Sequence, residues 1–183
     1  MSEFVEKLKI IHKRFGIPAD YETQFGLIPQ REPFDLQDIE NDIYGRCQKL
    51  VPPAAVAWKQ MKNQAHNEQV SLNVVSAFRS IDKQIEIIQR KVDAGQLIAD
   101  ILQVSAAPGY SEHHTGRAID LTTEGCAPLT EAFEKTLAFK WLQENAQHFS
   151  FSLSYPKDNK CGIAYEPWHW AYSEGYVDKK KHC

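Results

Sequence analysis

The order of apolar periods along the chain predicts an α+β architecture, with helices packed on one side of a small, mainly antiparallel sheet. Helical periods occur in four separate blocks, over Phe4–Ile11, Ala54–Ala65, Ile81–Val92 and Phe133–Leu142. Short β-rich runs stand apart from them, at VSLNVVSAF, RAIDL, FSLSY and GIAYEPWHWAY. At 183 residues and 43% hydrophobic content, the chain can bury one core and is short for two. A single domain over residues 1–183 is therefore expected, with residues 1–50 forming an N-terminal helix and an arm.

Phe4, Leu8 and Ile11 give the first helix an apolar face, and Gly16 ends it. Residues 17–50 mix Pro18, Pro29 and Pro33 with many acids and one short apolar patch, which reads as an arm draped over the core. Pro52-Pro53 suits the first turn of a second helix, on which Ala54, Ala57, Trp58, Met61 and Ala65 share a face. VSLNVVSAF is a strand that runs through Arg79-Ser80 into a helix bearing Ile81, Ile85, Ile88 and Val92, which Gly95 stops. SAAPGYSEHHTG reads as an irregular loop leading to the strand RAIDL. Thr130 can cap a third long helix that turns Phe133, Leu137, Trp141 and Leu142 inward, before the last two strands.

A net charge of −3 supplies no global positive field, so no nucleic acid partner is expected. No stretch approaches the roughly 20 apolar residues that span a bilayer. Glu6, Lys7, Lys9, Lys13 and Arg14 interrupt the first apolar residues, so no signal-peptide core can be drawn through them. As given, the chain is expected to be cytoplasmic, with periplasmic or cell-wall action open if a leader was removed. Cys47, Cys126, Cys161 and Cys183 share no C-x-x-C spacing and are expected as reduced thiols, a Cys126 to Cys161 bridge being the alternative. The KKKH run at 179–182 reads as a solvated tail.

The residues that carry chemistry lie in SEHHTGRAID and EPWHW. Imidazoles and carboxylates are good zinc ligands, and a catalytic site offers three of them while leaving a fourth position to water. His113, Asp120 and His169 supply that set, one zinc per chain. Gly116 lets the chain turn between His113 and Asp120, which a straight strand would not. Ala118 and Asp120 then share one face, and Ile119 and Leu121 point to the core. If WHW is a strand, His169 faces away from Trp168 and Trp170. Glu166, three residues before His169, stands where a general base for the attacking water would, and Pro167 argues against a regular helix there.

These residues resemble the zinc D-alanyl-D-alanine carboxypeptidases of the VanY type, relatives of the dipeptidase VanX and more distantly of the lysostaphin and hedgehog folds. The pattern S-x-H-x-x-G-x-A-x-D is met by Ser111, His113, Gly116, Ala118 and Asp120. The later E-x-W-H is met by Glu166, Trp168 and His169. SAFRS, with Gln84 following, resembles the upstream S-G-Y-R-S, although Ala77 and Phe78 replace its Gly and Tyr. The matches run from about residue 70 to 172 and leave residues 1–50 without a motif.

The resemblance implies that His113, Asp120 and His169 bind zinc, that Glu166 is the catalytic base, and that Arg79, Gln84 and Ser111 handle substrate. Trp168 can wall the substrate cleft. Arg79 suits a C-terminal carboxylate or a developing oxyanion, and the sequence leaves both open. The implied substrates are peptidoglycan stem peptides ending in D-alanine. An L,D-carboxypeptidase, a peptidoglycan endopeptidase and a non-catalytic zinc-binding module stand as alternatives. His114 should face away from His113, as a structural residue or a partner behind the ligands. Trp170 reads as core, Cys161 has no base to make it a nucleophile, and His12, His66, His148 and His182 have no such context.

Overall fold

The computed structural model describes residues 3–174, so the KKKH run, His182 and Cys183 lie outside the described residues. Its helices are α1 (Glu3–Phe15), α2 (Tyr21–Gln24), α3 (Pro52–Asn67), α4 (Ile81–Asp93), α5 (Ile98–Val104) and α6 (Leu137–Asn145). Strands β1 (Gln37–Asn41) and β2 (Cys47–Leu50) form a hairpin. Strands β3 (Asn73–Ser76), β4 (Ala118–Thr122), β5 (Phe151–Leu153) and β6 (His169–Tyr172) form a sheet of order β3-β4-β6-β5, every pair antiparallel. The α+β expectation holds.

The core fills the space between this sheet and helices α3 and α6. Trp58 and Met61 of α3 and Phe139 and Leu142 of α6 pack with Ile119, Leu121 and Trp170. Helix α3 starts at Pro52 with proline in its first turn, as the sequence predicts, and buries Ala54, Ala55, Trp58, Met61 and Ala65. Ala57, at the margin of that stripe, is only half-buried. Helix α4 is capped by Ser80, whose Oγ accepts from Lys83 N at 3.0 Å.

Three expectations change. The long helix foreseen from Thr130 splits into a 3-10 turn over Glu131–Lys135 and helix α6. Thr130 makes no side-chain cap; Thr136 caps α6 instead, its Oγ1 accepting from Phe139 N at 3.1 Å. That restart rotates the apolar stripe, so Leu137 is exposed while Phe133, Trp141 and Leu142 are buried. The arm also holds the β1–β2 hairpin and α2, and α5 follows Gly95. β1 reads QDIEN, with one apolar residue and no alternation to reveal a strand. Finally, Cys161 is disulfide-bonded, whereas Cys47 and Cys126 are free thiols, so neither a reduced Cys161 nor a Cys126 to Cys161 bridge is found.

The N-terminal segment braces the loop that leads to the SEHH run. Leu8, Ile17 and Tyr21 pack on Ala107 and Tyr110. His12 Nε2 donates to Pro108 O at 2.9 Å, and Tyr110 Oη donates to Glu22 at 2.7 Å. Gln30 N donates to Gly109 O at 2.7 Å.

Gly116 adopts φ +64° after the 3-10 turn Glu112–Thr115 and returns the chain into β4. A Cβ there would lie 2.8 Å from Leu36 Cδ2 and 3.3 Å from the backbone nitrogen of Val51, which donates to Gly116 O. Gly116→Ala is therefore expected to destabilise the protein by about 1–2 kcal/mol from the left-handed backbone alone. Chemical denaturation would measure this, and an unchanged midpoint would contradict it.

Candidate active site and metal centre

Two adjacent strands and one turn bring the predicted ligands together. Asp120 on β4 and His169 on β6 are direct cross-strand partners. His113 comes from the 3-10 turn before β4, with Ser111 at its start: Ser111 Oγ accepts from His113 N at 3.3 Å. Ile119, Leu121 and Trp170 face the core, so the alternation along β4 and β6 turns Asp120 and His169 to the opposite side.

The ligand atoms of His113, Asp120 and His169 all lie within 4.8 Å of one another, and all three residues are buried. Asp120 Oδ2 is 3.1 Å from His113 Nε2, and its Oδ1 is 3.0 Å from His169 Nδ1. The remaining ring nitrogens are engaged behind the cluster. His113 Nδ1 donates to Ala77 O at 2.7 Å, and His169 Nε2 meets Glu112 Oε2 at 3.0 Å. Two imidazoles with their outer nitrogens held, facing one buried carboxylate, fit a divalent metal of the zinc type.

The electrostatics agree with a site shaped for a cation. Burial works against charge on Asp120, yet the His113 and His169 rings hold its carboxyl well below the usual carboxylate range. Burial likewise opposes charge on His169, but Asp120 and Glu112 push it up to about 10 in the metal-free site. For His113 burial dominates and lowers the ring below its ordinary value.

Glu166 lies beside this cluster and is not one of its members. Its Oε2 is 3.7 Å from His169 Nδ1, and burial pushes its carboxyl up to about 7 in the metal-free protein. The EPWH segment is a turn, with His169 N donating to Glu166 O at 3.1 Å and Pro167 at its second position. That turn explains why Glu166 and His169 face one cleft.

Arg79 reaches the same place from the end of β3. Its Nη2 is 3.9 Å from Asp120 Oδ2 and donates to Ser76 Oγ at 3.2 Å, while Nη1 donates to Gln84 Oε1 at 3.1 Å. Gln84 departs from the expected substrate contact. It is fully buried, and its Nε2 donates to Ala106 O at 2.7 Å, so both ends of the amide are spent inside the protein. His114 is likewise a clip: Nδ1 donates to Arg79 O at 2.6 Å and Nε2 accepts from Gly109 N at 3.1 Å. Burial lowers that ring to about 4, consistent with a neutral structural imidazole.

A cleft of about 490 Å³ opens over the cluster. Ser111, Arg79, Glu166 and Trp168 line it, as do Arg90, Lys91 and Tyr155. The last three are invisible to sequence reasoning, since a basic helix end and a lone tyrosine carry no motif. Glu112 also escapes it, although a carboxylate adjoining a ligand histidine in SEHH is a signal that could have found it.

The profile of the VanY family, described as D-alanyl-D-alanine carboxypeptidase, matches residues 47–175. A putative carboxypeptidase of Bacillus subtilis, YodJ, is 36% identical over 172 residues, covering 90% of this chain and 59% of that protein. The chain thus spans less than two thirds of that relative's length. Among solved structures, the LD-carboxypeptidase LdcB superposes with a TM-score of 0.69 at 36% identity, over 77% of this chain and 69% of LdcB. A variant of the vancomycin resistance D,D-pentapeptidase VanY in complex with Zn(II) gives 0.61 at 26% identity, over 81% of this chain and 88% of the other.

Proposed function

The chain belongs to the VanY family of D-alanyl-D-alanine carboxypeptidases, and on that premise we propose that it is a zinc peptidase releasing the C-terminal D-alanine of peptidoglycan stem peptides. His113, Asp120 and His169 hold one zinc. The observation that carries the catalytic reading is the Glu166 carboxylate, 3.7 Å from His169 Nδ1 in the cleft yet outside the ligand cluster. A module that only bound its metal would have no use for such a group.

Bound there, zinc supplies Lewis-acid polarisation of the scissile carbonyl and lowers the pKa of a water toward about 7. Glu166 takes the proton of the attacking water and returns it to the departing amine. Arg79, held by Ser76 and Gln84 at 3.9 Å from Asp120, is the cation we assign to the oxygen on which charge develops. Ser111 offers a neutral hydrogen bond, and Trp168 walls the cleft. Gln84 acts through Arg79.

The cleft also supports exopeptidase action. Lys91 and Arg90 line it together with Arg79, and the Lys91 ammonium donates to Ser105 Oγ, with no carboxylate in ion-pair contact among the described residues. Such cations suit a free C-terminal carboxylate. An L,D-carboxypeptidase is the second reading, favoured by the higher identity to LdcB. No helix among the described residues is long and apolar enough to cross a membrane.

Digestion of defined penta- and tetrapeptide stems, free and C-terminally amidated, followed by mass spectrometry tests this. Loss of D-alanine from free stems alone is expected. Equal cleavage of amidated stems would defeat the carboxypeptidase reading, and cleavage of the tetrapeptide in preference to the pentapeptide would establish the L,D one. Arg79→Ala should lower kcat on the free stem by about 10²- to 10³-fold, the loss typical of one oxyanion donor, with zinc content unchanged. Near wild-type turnover in that variant would remove Arg79 from the mechanism.

A further inference from the structure

Glu112 stands outside the ligand cluster, yet it meets the far nitrogen of a ligand. His169 turns Nδ1 toward Asp120 at 3.0 Å and Nε2 toward Glu112 Oε2, also at 3.0 Å. Each ring nitrogen is thus committed to a different partner. A neutral imidazole carries one N–H, so a lone pair on Nδ1 requires the proton on Nε2. A carboxylate accepts that proton's hydrogen bond more strongly than a neutral group does.

We propose that Glu112 is a positioning residue of the metal site, fixing His169 in the Nε2–H form so that its Nδ1 lone pair faces the metal. The inference rests on the zinc-peptidase reading. The placement follows from local sequence: Glu112 opens the 3-10 turn that carries His113, so one turn delivers one ligand directly and braces another from behind. The two histidines are braced differently. His113 has the neutral carbonyl of Ala77 behind it, whereas His169 has a negative charge that raises the basicity of its coordinating nitrogen. No motif of the family resemblance assigns this residue a role.

Glu112 Oε2 also accepts from Ser154 Oγ at 2.5 Å, so the competing account is a plain tie between the turn and the chain just after β5. Ser154→Ala cuts only the tie. Glu112→Ala removes the tie and the brace, and Glu112→Gln keeps a hydrogen-bond acceptor without the charge.

Zinc affinity by chelator competition, thermal unfolding of the metal-free proteins and NMR of the imidazole N–H protons separate these accounts. Glu112→Ala is expected to weaken zinc binding by about 10- to 100-fold, the usual cost of losing such a partner. Glu112→Gln should fall between it and wild type, and Ser154→Ala should stay near wild type. The His169 Nε2–H resonance of the zinc-loaded protein should persist in Glu112→Gln and vanish in Glu112→Ala. Equal zinc affinity in wild type and Glu112→Ala overturns the proposal. So does an equal loss in Ser154→Ala accompanied by the same fall in metal-free Tm, which would show a tie alone. A wild type that binds no zinc would instead sink the zinc reading and this inference with it.

Discussion

Glu166→Gln is expected to retain zinc and to lose at least about 10²- to 10⁴-fold in kcat on a stem peptide, the range general-base assistance supplies. The substitution keeps the shape of the side chain and its place in the EPWH turn, where backbone bonds to Tyr155 and His169 hold the segment. What it removes is the capacity to take a proton. Burial raises this carboxyl to about 7 in the metal-free protein, and desolvation of this kind makes a carboxylate a better proton acceptor. Metal analysis and steady-state kinetics on the same preparation make the measurement. Zinc-loaded Glu166→Gln with nearly full turnover would overturn the mechanism and revive the binding-module reading.

His169→Ala should behave differently, losing the metal and the activity together. Its Nδ1 is one of the three converging donors, and two donors leave a much weaker zinc site than the three that catalytic centres use. Zinc per chain after exhaustive dialysis is expected to fall from about one toward zero. The same change leaves Asp120 with His113 and the more distant Arg79, so a buried carboxylate loses a close partner. The contrast with Glu166→Gln separates ligand from base, because only the ligand change strips the ion. Stoichiometric zinc in dialysed His169→Ala would show that the ligand set is wrongly drawn.

Much of this site could be read from the chain because each part depends on local letters. The glycine that bends the SEHHTG turn, the alternation that sets Asp120 against Ile119 and Leu121, and the proline that forms the EPWH turn act within a few residues. Helices α3 and α4 were equally legible, through their apolar stripes and their Pro52 and Ser80 starts. Where a local signal was shared between two possible outcomes, the reading failed. Thr130 read as the cap of one long helix, but a 3-10 turn over Glu131–Lys135 intervenes and Thr136 caps α6 instead.

What the sequence supplied by itself was the candidate donor set, the candidate base and the α+β order of elements, since these follow from residue type and short spacing. Only the tertiary structure decided which residues meet across distance. Antiparallel pairing of β4 with β6 sets Asp120 opposite His169, 49 residues on. Chain folding seats Gln84 beneath Arg79 and not in the cleft, and puts Glu112 behind a histidine 57 residues away. The polar hairpin of β1 and β2 lacks an apolar period; it is held by pairing and by Trp58 Nε1 donating to Glu40 at 2.9 Å. Such contacts depend on register and burial, which are properties of the whole packed chain and leave no mark in a window of neighbouring residues.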